Sequence, residues 1–120
     1  MNAKLLRAVL AHVEDHPELL DLTTHGEART SGGIAADVAG RALLESGWTL
    51  VAKDAFRSPD GLLTVSHWME IEREARLALG LTETELWGGG DFECLFTVTG
   101  RDAVTARLRE LTGEAEAANG

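Results

Sequence analysis

The sequence predicts an α+β fold: a mainly helical single domain, with four or five helices around a central small-residue helix and one short β-hairpin. Three observations carry this. Apolar residues recur at helical spacing near both ends, as Leu5, Leu6, Val9, Leu10 and Val13 and again as Val104, Leu108 and Leu111. Between them, Ala35, Ala36, Ala39, Gly40 and Ala42 make a lean segment that neighbours can approach closely. Two β-prone runs, 49–52 and 62–65, flank Ser58-Pro59-Asp60-Gly61, in which Pro presets the second turn position and Gly suits the fourth.

In order, Asn2 is placed to cap a first helix running to about Asp15, and Pro17 ends it because the residue before a proline avoids helical geometry. Leu19, Leu20 and Leu22 form a connection lying on the core, and 23–29, polar with Gly26, reads as a loop. The central helix spans 30–48, with Thr30 or Ser31 as cap and Gly47 closing it in a left-handed conformation. Gly32 and Gly33 fall in its first turn, which weakens it there and leaves its amides uncovered.

The hairpin follows and must pack on helices, since two strands are not stable alone. Ser66 caps a third helix to about Leu79, with Trp68, Ile71, Ala75 and Leu79 on one face and Glu70, Glu72, Arg73 and Arg76 mostly opposite. Gly80 stops it. Thr82-Glu83-Thr84-Glu85 has capping-box spacing and opens a short fourth helix carrying Leu86 and Trp87, broken by glycines 88 to 90. The run 92–98, with Phe92, Leu95 and Phe96 apolar, stays open between helix and strand. Thr99 and Asp102 start the last helix, which Gly113 ends; residues 1–113 make the globular domain and 114–120 a flexible C-terminal tail.

At 120 residues the chain is one domain, and its 44% hydrophobic content is ordinary for a water-soluble protein. No apolar run reaches the roughly 18 residues that span a bilayer, and the N-terminus lacks signal-peptide features, so a cytoplasmic location with no membrane partner is expected. One cysteine, Cys94, allows no internal disulfide and is most simply a small buried hydrophobe. Eleven basic against 20 acidic side chains give a net charge of −9, which repels a phosphate backbone and disfavours nucleic-acid binding. That charge suits solubility, a basic protein partner or mimicry of nucleic acid.

His16-Pro17-Glu18, Ser31-Gly32-Gly33 through Ala39-Gly40, Leu79-Gly80-Leu81-Thr82 and the stretch from Val104 to Leu111 together span most of the chain. In this organisation it resembles a family of small, largely uncharacterised actinobacterial and actinophage proteins. Those proteins carry a Cys-Gly-Thr-x-x-Cys-x-Ala-Gly-Trp-Ala-like central helix. The motif cysteines are replaced here by Ser31 and Ala36, so any thiol or metal chemistry they support is not expected. The resemblance implies a compact, mainly helical domain and no established activity.

Candidate sites follow from residue type. Ser31, Gly32 and Gly33, at a helix start, form a candidate anion site, or with His67 or His25 as base a nucleophilic serine; the plain alternative is an ordinary N-cap. His12 and His16 at i, i+4 spacing could share a metal with Glu18 or His25, although Glu14 is not where a metalloprotease base would stand. Trp48, Trp68 and Trp87 are expected in the core, with Trp87, beside three glycines, the one to mark a protein-binding surface if any is exposed. The function expected is non-enzymatic, with no cofactor. The chain reads as an acidic interaction module, an accessory or regulatory protein of an actinobacterium or its phage, with an inhibitor engaging a basic host surface as one version. Its contact residues would be Glu70, Glu72, Glu83, Glu85, Trp87, Asp91 and Glu93. Two other classes stand beside it: a small hydrolase or metal-dependent enzyme using Ser31 and the histidines, and a DNA-binding regulator, which the charge disfavours. No sequence feature decides for or against a homodimer.

Overall fold

In the computed structural model, which describes residues 1–82, 95–96 and 100–119, the Asn2 side chain accepts a hydrogen bond from the Leu5 amide and opens helix α1, Ala3–Asp15. Its buried residues are Ala3, Leu5, Leu6, Val9 and Val13, while Leu10, expected on the same stripe, is half-buried against the core. Pro17–Leu19 forms one 3-10 turn, and Leu20 is buried beneath it. Two small antiparallel sheets follow. One pairs β1, Glu27–Ala28, with β2, Ile34–Ala35; the other runs β3, Thr49–Ala52, β4, Ala55–Arg57, and β5, Thr64–Val65, in that order. Helix α2 is Val38–Glu45, α3 is Trp68–Leu79 and α4 is Arg101–Asn119.

The Cα radius of gyration, 13.4 Å, is close to the ~13.6 Å expected of one domain of this length, consistent with the α+β single domain. At its centre lies α2, whose residues Val38, Ala39, Gly40, Arg41, Ala42 and Leu43 are all buried. It packs against α1, α3 and β3, while α1 also packs against α4. The inner stripe of α4 is Val104, Leu108, Leu111 and Ala115. Ion pairs Arg109–Glu14 and Arg7–Glu116 run along the antiparallel α1–α4 seam; being largely exposed, they set register more than stability.

Four expectations are corrected. The segment 30–37 is not helix. Gly32 and Gly33 have φ of 103° and 79° and turn the chain between β1 and β2, closed by the Arg29 amide on the Gly33 carbonyl. Residues 34–37 then run extended, the Ala36 amide donating to Leu19, the Asp37 amide to Thr24, and the Asp21 amide to the Ala36 carbonyl. A helix would take those groups away from the ladder, so it starts only at Val38, with Asp37 as cap. Second, Ala55–Arg57 forms a middle strand, so the expected two-stranded hairpin is a three-stranded meander; the Ser58 to Gly61 turn joins β4 to β5.

Third, α4 passes through Gly113 to Asn119, because Ala115 continues the buried stripe; residues 114–119 are helix rather than a tail. Fourth, Trp68 is exposed, since α3 starts there with His67, rather than the expected Ser66, as cap, and its inner face is Ile71, Ala75 and Leu79. Trp48 packs against the core as expected. The fourth helix, the glycine triplet, Cys94 and most of 92–98 lie outside the described residues; Leu95 and Phe96 are buried in a turn.

Candidate functional site

The loop from Thr24 to Gly26 is fixed from two sides. Asp54, at the turn after β3, has a left-handed φ of 56° and aims its carboxylate back at the loop. One oxygen accepts from the Thr24 hydroxyl at 2.7 Å, the His25 amide at 2.8 Å and the Gly26 amide at 3.1 Å. The Asp54 amide in turn donates to the Gly26 carbonyl. On the other side, α2 presses Gly40 onto the His25 carbonyl, so closely that a Cβ at position 40 would stand 1.6 Å from that oxygen.

These constraints deliver the His25 ring to Asp37. Oδ1 of Asp37 caps α2 through the Gly40 amide at 2.9 Å, and Oδ2 lies 2.7 Å from His25 Nδ1. The side chains are 7% and 20% exposed respectively. At that distance Nδ1 and the carboxylate are in direct charged contact, and Nδ1 has no other polar partner among the described residues. Contact with Asp37 raises the His25 pKa above its ordinary 6.5; burial works the other way, and the charges of Asp37, Asp54 and Glu72 add to the rise.

The pair opens onto a cleft of about 390 Å³ lined by Leu22, Thr23, Thr24, His25, Asp37, Trp68, Glu72 and Phe96. Helix α3 supplies Glu72, half-buried, and Trp68, 56% exposed and stacked on His67 with ring centroids 5.8 Å apart. Burial raises the Glu72 pKa above 4.5, with Asp37 adding to the rise and His25 opposing it. Asp54 moves down: burial opposes its ionisation, yet its hydrogen bonds from Thr24, Gly26 and His25 outweigh that and hold it below 3.8. The cleft is thus walled by carboxylates and edged by an indole.

Compared with known protein families, curated proteins and solved structures, the chain matches none. The geometry stands alone. An imidazole beside a carboxylate can move a proton, but the nearest hydroxyl, that of Thr24, is committed to Asp54 and is not offered as a nucleophile. What the cleft presents to a visitor is negative potential and an aromatic face, a pairing that favours a cation.

Of the expected contact residues, Glu70 is exposed on α3 and Glu72 lies in the cleft; Glu83, Glu85, Trp87, Asp91 and Glu93 fall outside the described residues. Ser31, Gly32 and Gly33 are exposed at the β1–β2 turn, so the candidate anion site has no helix N-terminus behind it. His12 and His16 do meet, with rings 5.0 Å apart, and His16 reaches Glu18 at 3.4 Å. No group of three or more metal-ligating side chains converges among the described residues. His25, Asp37 and Asp54 as a unit escaped the sequence reading. The available signal was Asp37, a capping residue directly before Val-Ala-Gly; its pairing with His25, twelve positions back, is set by tertiary packing.

Proposed function

We propose that this chain is an acidic, non-enzymatic interaction module that engages a basic surface of a protein partner, as an accessory or regulatory protein of an actinobacterium or its phage. One observation carries the reading. The first turn of α3 sets Trp68 and Met69, both more than half exposed, beside Glu70, with Trp68 at the edge of the carboxylate-walled cleft. Exposed aromatic and thioether surface next to uncompensated negative charge suits a partner that brings cations on an apolar frame. The net charge of −9 adds long-range attraction for such a partner. On the sequence alone, Glu83, Glu85, Trp87, Asp91 and Glu93 are proposed as further contact residues. Ser31 lies exposed at the β1–β2 turn rather than at a helix start, which favours this reading over the hydrolase alternative built on Ser31.

The test is titration with an arginine-rich peptide of alternating Arg and Gly. Affinity should fall by about tenfold or more as salt is raised from low to several times physiological strength. It should fall comparably on charge reversal at Glu70, Glu83 and Glu85. Absence of binding, or binding indifferent to both treatments, overturns the proposal.

A further inference from the structure

We infer that the cleft between α2 and α3 receives a single guanidinium group of the partner, and that its entry displaces the proton from His25. This rests on the reading of the partner as basic and names the group that is bound and its coupling to protons.

The argument begins with Asp37. Its carboxylate is buried, with one oxygen held by the α2 cap and the other by the contact with His25 Nδ1. Each carboxylate oxygen has two acceptor lone pairs, so both have room for a further donor entering from the cleft. The half-buried Glu72 side chain lines the same cleft and has no ion pair among the described residues. Two carboxylates able to accept and an indole face at the edge match one chemical group. A guanidinium offers five N–H donors in a rigid plane, can bond carboxylates through its edge and can stack its face on Trp68. An ammonium has no such plane and is more strongly hydrated. A volume of about 390 Å³, near the lower end of ordinary ligand pockets, suits one long side chain rather than a folded element.

The proton coupling follows from what faces His25. Among the described residues these groups are Asp37 at the start of α2, Asp54 after β3, and Glu72 on α3, all carboxylates. Together they favour a protonated ring in the empty cleft. A guanidinium placed between Asp37 and Glu72 takes over that neutralisation and adds a positive charge beside the ring. The imidazolium then releases its proton to solvent, and the neutral ring remains. Binding therefore strengthens as pH rises.

N-acetyl-arginine methylamide is the probe, titrated calorimetrically into the whole chain in buffers of different ionisation enthalpy. Affinity should rise about three- to tenfold between about pH 6 and about pH 8, with proton release on binding. The lysine analogue should bind at least about threefold more weakly and the uncharged citrulline analogue not measurably. His25→Gln should flatten the pH dependence while keeping affinity at the higher pH. Glu72→Gln and Trp68→Ala, outside the buried stripe of α3, should each weaken binding about threefold or more, Trp68→Ala keeping the slope and Glu72→Gln, which removes a carboxylate facing the ring, lessening it; they carry the test if His25→Gln does not fold. A pH-independent affinity, proton uptake, or unaltered binding by Glu72→Gln overturns the inference. If the arginine-rich peptide binds with salt sensitivity while the small probe does not bind, the cleft inference falls and the interaction module stands. If neither binds, both fall.

Discussion

A methyl group at position 40 would have to share space with the His25 carbonyl oxygen, 1.6 Å from where the Cβ would stand. That oxygen belongs to backbone pinned by Asp54, so it cannot swing aside as a side-chain tip would. Gly40→Ala should therefore destabilise the fold by about 3 kcal/mol or more, read as a lower urea midpoint, despite alanine's better helix propensity. Asp37→Asn separates charge from capping at the same junction. Asparagine caps helices as well as aspartate does, so α2 should persist. His25 loses the neighbour that contributes most to its raised pKa, and its titration, followed by the ring-proton chemical shift, should move down. An unchanged His25 titration in that variant would mean the contact with Asp37 carries no charge interaction.

Among the elements, α4 shows best how far local pattern reaches. Gly113 reads as a helix stop, yet the helix passes through it because Leu111 and Ala115 both face the core and no other signal breaks the chain. A Cβ at position 113 meets nothing within 4 Å. Gly113→Ala should thus stabilise the protein by about 0.5–1 kcal/mol, raising the urea midpoint without changing the denaturant slope. Helices α1 and α3 and the inner stripe of α4 were legible because 3.6-residue periodicity and caps such as Asn2 and Gly80 are local properties. The stretch 30–37 was not, since Ala35 and Ala36 are as compatible with a buried extended strip as with a helix. What decides between them is Leu19, Asp21 and Thr24 offering backbone partners, and those come from another part of the chain. The same limit hid the candidate site: His25, Asp37, Asp54 and Glu72 come from four separate stretches. Glu72 was legible as an acidic surface residue, but not as a wall of a cleft.

At the scale of the whole molecule, the titrating groups that the fold perturbs do not all pull stability in one direction, and their signs locate its maximum. His25 has a folded pKa above 6.5, so its contribution is complete below that value and is lost as pH rises through the folded pKa, whereas His12, lowered below 6.5 first by burial, costs stability in acid and ceases to as pH rises past 6.5. Glu72 is raised above 4.5, so the folded state favours its neutral form and loses stability as pH climbs past 4.5. The formal charge of −9 at neutrality adds self-repulsion that protonation relieves. On the acid side, Asp54 and Asp21 are held below 3.8, and their stabilisation is lost as pH falls through the folded values. For Asp21 the holding groups are the Thr23 hydroxyl and amide and, after a small opposing effect of burial, Arg29. Stability should therefore peak in mildly acidic solution, between about pH 4.5 and 6.5, and decline through neutrality toward about pH 8.5. Urea midpoints across that range check it, and added salt should recover more stability at the alkaline end, where self-repulsion is greatest. Glu72→Gln should flatten the early part of the decline and Asp37→Asn the later part, because each removes one perturbed group from the balance. A midpoint that is level or rising from about pH 6 to about pH 8 in the unaltered protein would mean that these residues are not charged as the cleft requires.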